Sequence, residues 1–202
     1  MRYYLETTAI ILSLSESEEG EKAREYLLEV RDESAVSDLV LSEIYNLPEP
    51  LKDRSTRFVV ELGVPSIRLV PSCFTLVEKY VYNKAVEGSK RDWALHLATA
   101  SVRGFETMVT ADGLLGESLL PHLNAVGERE GYSKVKVHLL DAGSDQKVAE
   151  WFGELWEVRR LSYRATSSRG LKEVMKGIET SALHLMREKG VEIERTGSIE
   201  IF

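Results

Sequence analysis

Four acidic residues lie at or within predicted strands and helices in positions that a folded chain can gather into one pocket. Glu6 and Asp112 each follow a predicted strand, Glu43 lies inside a predicted helix, and Asp92 lies at the start of another. If the two strands belong to one parallel sheet, their carboxyl ends meet at the same edge. An acidic pocket of that kind binds hard divalent cations through oxygen.

The chemistry that suits such a cluster is metal-assisted hydrolysis of a phosphodiester. The reaction needs a metal ion that neutralises the scissile phosphate and lowers the pKa of the attacking water. Carboxylates packed together without a cation would repel one another, and a bound ion removes that conflict. The hydroxyls of Thr8 and Thr110 lie close in sequence to Glu6 and Asp112. We predict that they orient the carboxylates or a water molecule.

Each acidic residue also has a plainer interpretation when it is taken alone. Glu43 fits a solvated helix face, Asp92 fits a helix cap, and Asp112 fits a turn. His96 follows Asp92 by one helical turn, and we interpret it as a buried histidine with satisfied hydrogen bonds rather than as a catalytic base. The functional hypothesis therefore depends on the four acids occurring together.

Strands alternate with helices along the part of the chain that carries these residues. A helix capped by Ser37-Asp38 carries Glu43, and the apolar run 8–12 fits a strand that passes into a loop or helix start. Apolar spacing predicts strands over 2–5, 67–70, 107–110 and 135–140, and helices over 53–62, 71–87, 91–102 and 114–126. This alternation predicts an α/β fold with a parallel sheet covered on both faces.

Four motifs, taken in order, resemble those of the PIN-domain family, which includes toxin ribonucleases of the VapC type. Tyr4-Leu5-Glu6-Thr7-Thr8-Ala9 resembles the family's opening Y-L-D-T-S-A, and residues 37–43 resemble its second acidic helix. Residues 92–100 resemble the family's helix D-A-L-x-L-A-x-A, and residues 109–112 resemble the strand that ends in T-x-D. The resemblance covers about residues 1–141, which we take as a PIN-like nuclease domain.

This resemblance implies a three-layer α/β/α sandwich and an endoribonuclease that uses Mg²⁺ or Mn²⁺. The implied metal ligands are Glu6, Asp92 and Asp112, with Glu43 as a fourth ligand or as the group that positions water. It also implies a homodimer and an antitoxin-like protein partner, as for a toxin of a toxin–antitoxin pair. The sequence departs from the family in having Glu6 where Asp is usual, which moves that carboxylate outward by one methylene.

An alternative from another functional class stays open beside the nuclease. The Glu6 position and an additional C-terminal segment fit a degenerate PIN scaffold that binds RNA or a protein partner without cleaving it. A non-catalytic scaffold has no need of a metal ion, so Mn²⁺ binding discriminates between the two hypotheses.

Residues 142–202 form a predicted C-terminal extension of two helices and a β-hairpin. The chain has a net charge of −7, but residues 156–190 carry eight Lys and Arg against four Asp and Glu. We predict that the extension contacts RNA phosphates through Arg159, Arg160, Arg164 and Arg169. Two alternatives remain at this point. The arginines pair with the acidic body and fix the extension against its own domain or a second copy of the chain, or the extension occupies the acidic cleft as a built-in inhibitor.

The cysteine count and the N-terminal sequence limit the cellular compartment and the class of protein. One cysteine, Cys73, excludes an intramolecular disulfide framework and leaves no CxxC zinc pattern. The N-terminal apolar stretch is too short and too polar for a signal peptide or a membrane span. We therefore expect a soluble, cytoplasmic protein with no membrane partner.

Overall fold

The computed structural model of the chain describes residues 1–85, 91–113 and 120–165, and of residues 91, 92 and 160–165 it describes the backbone alone. Five strands form a central sheet in the order β3-β2-β1-β4-β5, and every neighbouring pair is parallel. The strands are β1 (Tyr3–Leu5), β2 (Ser34–Ser37), β3 (Ser66–Ile67), β4 (Thr107–Thr110) and β5 (Lys136–Leu139). The predicted α/β class and parallel sheet are confirmed.

Helices connect the strands, as parallel pairing requires. They are α1 (Thr7–Leu12), α2 (Glu18–Val30), α3 (Asp38–Tyr45), α4 (Leu51–Leu62), α5 (Pro71–Tyr82), α6 (Arg91–Val102), α7 (Leu120–Arg129) and α8 (Gln146–Ala165). This arrangement is consistent with a three-layer α/β/α sandwich. Within the three described ranges, no helix is both long enough and apolar enough to cross a bilayer.

Capping side chains fix where several of these helices begin. The Ser37 hydroxyl accepts a hydrogen bond from the Val40 amide at 3.4 Å and starts α3, as the sequence predicts. Glu6 caps α1 in the same manner, with its carboxylate accepting from the amide of Thr8. All six residues of α1 are buried, so the run has no polar face that would have marked it as a helix.

Several predicted bounds differ from the structure. The strand predicted over 67–70 is the two-residue β3, and α5 ends at Tyr82 rather than continuing to 87. The predicted helix 114–126 is observed from Leu120 to Arg129, while residues 114–119 lie outside the described part of the chain. The extension's second helix and its β-hairpin fall beyond residue 165 and also lie outside it.

Helix α8 belongs to the predicted extension, yet it packs on the body of the protein. Val148, Leu155 and Val158 are buried in the same core cluster as the strand residues Tyr4 and Met108. Helix α8 also includes the first arginines of the extension, because it continues through residues 159–164 to Ala165. The first part of the extension is therefore part of the packed core, and the boundary at residue 141 stays a prediction.

Candidate metal centre and its buried arginine

The candidate site lies at the carboxyl edge of the sheet, between the neighbouring strands β1 and β4. The strand order reverses direction at this pair, and open parallel sheets bind ligands at such a switch point. Glu6 directly follows β1, and Asp112 lies two residues after β4. Glu43 reaches the same place from α3, and His96 reaches it from α6. All four side chains are buried, with exposed fractions between 1% and 6%.

Three donors fix one oxygen of the Glu6 carboxylate. Oε2 accepts from the Thr8 amide at 2.9 Å, from the Thr110 hydroxyl at 2.9 Å, and from the Thr8 hydroxyl. The Thr8 hydroxyl also accepts from the Ala111 amide at 2.9 Å, and the Thr110 hydroxyl accepts from the Asp112 amide at 3.0 Å. The two threonines singled out in the sequence therefore tie Glu6 to the end of β4 and leave Oε1 facing the pocket.

Glu43 is held by hydrogen bonds to a third threonine, Thr7, and to His96. The Thr7 hydroxyl donates to Oε2 of Glu43, and Nε2 of His96 lies 3.0 Å from Oε1. The same nitrogen lies 3.7 Å from Oε1 of Glu6. His96 therefore spans the gap between the two glutamates.

The other ring nitrogen of His96 is fixed by two buried hydroxyls. Nδ1 lies 2.8 Å from the phenol oxygen of Tyr4, which lies 2.8 Å from Oγ of Ser37. Burial raises the pKa of Tyr4 well above its ordinary value, so the phenol keeps its proton at neutral pH. His96 was predicted to be a buried histidine with satisfied hydrogen bonds, and it is one. Its contact with Glu43 also makes it a candidate ligand, a role that its position in the sequence does not indicate.

Arg159 of α8 enters this acidic pocket and is only 1% exposed. Its Nε donates to Oε1 of Glu43 at 2.9 Å, and its Nη2 donates to Oε2 of Glu43 at 3.2 Å and to Oε1 of Glu6. The guanidinium also lies over the ring of Trp156, 5.1 Å from the ring centre. Burial lowers the pKa of Arg159 to about 9, so the side chain remains charged at neutral pH.

The position of Arg159 differs from the expected one. We predicted an exposed side chain for RNA phosphates, and the structure instead buries it among the carboxylates, as in the alternative of pairing with the acidic body. The physical reason is that Glu6 and Glu43 supply charge and hydrogen-bond acceptors that repay the cost of burying a guanidinium. The side chains of Arg160 and Arg164, and all of Arg169, lie outside the described part of the chain.

The structure brings together three of the four predicted acids. Within the described residues, Glu6, Glu43 and His96 each offer a ligand atom within 4.8 Å of the others, as a metal centre requires. Oδ2 of Asp112 lies near this group, 3.7 Å from Nη1 of Arg159. The side chain of Asp92 is not among those described, but its backbone lies at the second position of α6, one turn before His96.

A substitution in the threonine pair tests how firmly Glu6 is held. We expect Thr8→Val to lower the free energy of unfolding by about 1–3 kcal/mol, because valine keeps the shape but leaves the buried Ala111 amide without its acceptor and Glu6 without a donor. Urea denaturation measures the change. Thr75→Val, at an exposed position of α5 where the hydroxyl donates to Pro71 in its own helix, should shift stability by less than about 0.5 kcal/mol. Equal effects of the two substitutions would contradict this account.

Comparisons with known proteins return no relative. No protein-family model matches the chain, and neither a curated protein nor a solved structure does. The resemblance to PIN domains therefore depends on the quoted motifs alone, and the function has to be argued from the site.

Proposed function

We propose that this chain is a divalent-metal-dependent endoribonuclease whose ion binds at the carboxyl edge of the sheet between β1 and β4. The observation that carries the proposal is the convergence of Glu6, Glu43 and Asp112, from three distant parts of the chain, in one buried pocket. Burying three carboxylates together is costly unless a cation is present. A pocket built in this way is fitted to hold positive charge.

The donor atoms in the pocket fit a divalent ion. Glu6, Glu43 and His96 would hold it through two carboxylates and one imidazole nitrogen. We propose Asp112 as an additional ligand because its Oδ2 lies 3.7 Å from the Arg159 guanidinium, which contacts both glutamates. Carboxylates suit Mg²⁺ and Mn²⁺, and an imidazole ligand favours Mn²⁺ or a later transition metal over Mg²⁺. We propose Asp92 as a further ligand because it lies in the first turn of the helix that carries His96.

When bound, such an ion would neutralise the scissile phosphate and generate a nucleophilic water at neutral pH. The protein contributes fixed positions for the ligands. Three donors hold Oε2 of Glu6, so its carboxylate has one orientation and Oε1 faces the pocket. Tyr4 holds the imidazole of His96 in the same way. Because their hydrogen bonds already orient them, the side chains of Glu6 and His96 keep their positions when the ion binds.

The nature of the substrate comes from the resemblance to PIN domains, whose members include ribonucleases. Homodimerisation and control by an antitoxin-like partner come from the same resemblance and are part of the proposal. We also propose Arg160, Arg164 and Arg169 as RNA contacts, because they follow α8 or lie in its last turns, in a locally basic segment. Arg159 is left out of that group because it is buried.

The proposal predicts cleavage of a mixed RNA pool by the metal-loaded protein. We expect Asp112→Asn and Asp92→Asn each to lower the rate by at least about a hundredfold at saturating Mn²⁺, because even small displacements at a reacting centre cost about that much. Gel analysis of fluorescent RNA measures the rate. Glu61→Gln, at a half-exposed helix position paired with Arg24, is the control and should cleave like the unaltered chain. If the two Asn variants cleave RNA as fast as the unaltered chain, the assignment of Asp92 and Asp112 to the catalytic site is wrong.

A non-catalytic scaffold that binds RNA or a protein partner is the second candidate. Arg159 favours it, because the guanidinium already supplies a cation to Glu6 and Glu43 and the cluster then needs no metal ion. Calorimetry with Mn²⁺ separates the two candidates. If the unaltered chain binds Mn²⁺ and Asp112→Asn does not, the result supports the metal-dependent enzyme. If neither the unaltered chain nor any variant binds Mn²⁺, the result supports the scaffold.

A further inference from the structure

Arg159 hydrogen-bonds to the same atoms that would bind the ion. Nη2 of Arg159 contacts Oε1 of Glu6 and Oε2 of Glu43, and it lies 3.4 Å from Nε2 of His96. These three residues are the ones whose ligand atoms lie within 4.8 Å of one another. One guanidinium nitrogen therefore stands among all three members of the candidate metal centre.

Each of the two glutamates has only certain carboxylate oxygens available for a metal ion, and on Glu6 the oxygen Oε2 is already occupied by hydrogen bonds within the protein. Thr8 and Thr110 donate three hydrogen bonds to Oε2, so Oε1 is the oxygen left for a ligand. On Glu43, Nε of Arg159 uses Oε1, while Oε2 is shared between Nη2 and the Thr7 hydroxyl. A divalent ion would need these same lone pairs at about 2.0–2.6 Å, so it and the guanidinium cannot both occupy them.

Charge adds to this overlap. A guanidinium and a divalent ion held by the same two carboxylates would lie a few ångströms apart in a buried pocket, where like charges repel strongly. Nη1 of Arg159 is buried and makes no hydrogen bond within the described part of the chain, and it lies 3.7 Å from Oδ2 of Asp112. The hydrogen-bonding capacity of the guanidinium is therefore not fully used in the pocket. Among the described residues, withdrawal of Nη1 breaks no hydrogen bond.

We propose that Arg159 is a built-in competitor of the divalent cation: the centre holds either the guanidinium of α8 or a metal ion, and the metal binds only when Arg159 withdraws. This inference rests on the proposed metal centre and describes its regulation. Under this proposal, α8 lowers the affinity of the metal centre in its own chain for a divalent ion. Anything that pulls Arg159 away, such as a polyanion bound to the adjoining basic segment, raises the affinity of the centre for metal.

The test is a calorimetric titration of the full, chelator-treated chain with Mn²⁺. Arg159→Met keeps an apolar stem of similar length and removes the charge, and we expect it to bind Mn²⁺ at least about tenfold more tightly than the unaltered protein. Arg129→Met, at an exposed position of α7, is the matched control and should leave the affinity unchanged. If Arg159→Met does not fold, Arg159→Lys serves instead. It keeps the charge but not the forked hydrogen bonds, so we expect it to bind Mn²⁺ more tightly than the unaltered protein, and equal or weaker binding overturns the competition.

The possible outcomes separate this inference from the proposed function. Equal affinity of Arg159→Met and the unaltered chain, or weaker binding by the variant, overturns the competition while leaving the metal centre in place. Failure of every variant to bind Mn²⁺ overturns the metal centre and the competition together. Tighter binding by Arg159→Met that is lost again when Glu43→Gln is added supports both, because it places the ion at the carboxylates that Arg159 had occupied.

Discussion

The Arg159→Ala variant is expected to lose about 3–5 kcal/mol of unfolding free energy in metal-free buffer. Arg159 is the buried cation that faces both Glu6 and Glu43, and each of those carboxylates is at most 2% exposed. Truncating the side chain leaves two buried negative charges without their partner and opens a cavity beside Trp156. Urea denaturation in the presence of a chelator measures the loss.

Two further variants show whether charge is the cause. Arg129→Ala removes an exposed arginine and should change stability by less than about 0.5 kcal/mol. Adding Glu43→Gln to Arg159→Ala should recover part of the loss, because one of the uncompensated charges disappears with the substitution. Mn²⁺ should also restore stability to Arg159→Ala, since a ligand that binds the folded state stabilises it. A loss below about 1 kcal/mol would show that Arg159 does not balance the carboxylates.

The Glu43→Gln substitution is expected to weaken Mn²⁺ binding by more than about a hundredfold and to abolish RNA cleavage with it. Residues that only support a metal ligand cost about 10–100-fold when they are changed, so the loss of a ligand itself should exceed that range. Glutamine keeps the shape of the side chain and its acceptor oxygen, but it removes the negative charge that faces the ion. The measurement is calorimetry in the Arg159→Met background, in which the guanidinium no longer competes.

Glu61→Gln is the control for this prediction. Glu61 is also a helical glutamate paired with an arginine, but its side chain is half exposed and lies on α4. Its replacement should leave both Mn²⁺ affinity and cleavage unchanged. If Glu43→Gln binds Mn²⁺ as tightly as its parent, the ion does not bind at the edge of the sheet and the proposed ligand set is wrong.

The part of the site that follows from strand ends was predictable from the sequence. Helix α6 and strand β4 have the predicted bounds, because their apolar spacing and the glycine at 104 mark them clearly. Once β1 and β4 are assigned to one parallel sheet, Glu6 and Asp112 must meet at its carboxyl edge. The hydroxyls of Thr8 and Thr110 follow for the same reason, since they flank those two acids.

The prediction that Arg159 is exposed was wrong because the neighbouring residues in the sequence are basic, and a run of arginines indicates an exposed segment that binds phosphate. A contrary signal was present. Arg159 follows Leu155 by four residues and Val148 by eleven, so it falls on the apolar stripe of α8. An arginine at a buried helix position requires acidic partners. Those partners lie 116 and 153 residues away in the chain, and local patterns carry no information about such contacts.

That long separation sets an order of events during synthesis on the ribosome. Arg159 follows Asp112 by 47 residues, so at the usual pace of translation it emerges roughly 2–10 s after the last of the three acids that converge in the pocket. Throughout that interval the nascent chain carries the three acids without the arginine that later pairs with Glu6 and Glu43. If the proposed centre binds a divalent ion, that ion meets no competing guanidinium during this interval, and we expect the nascent chain to bind metal more tightly than it does once Arg159 has emerged.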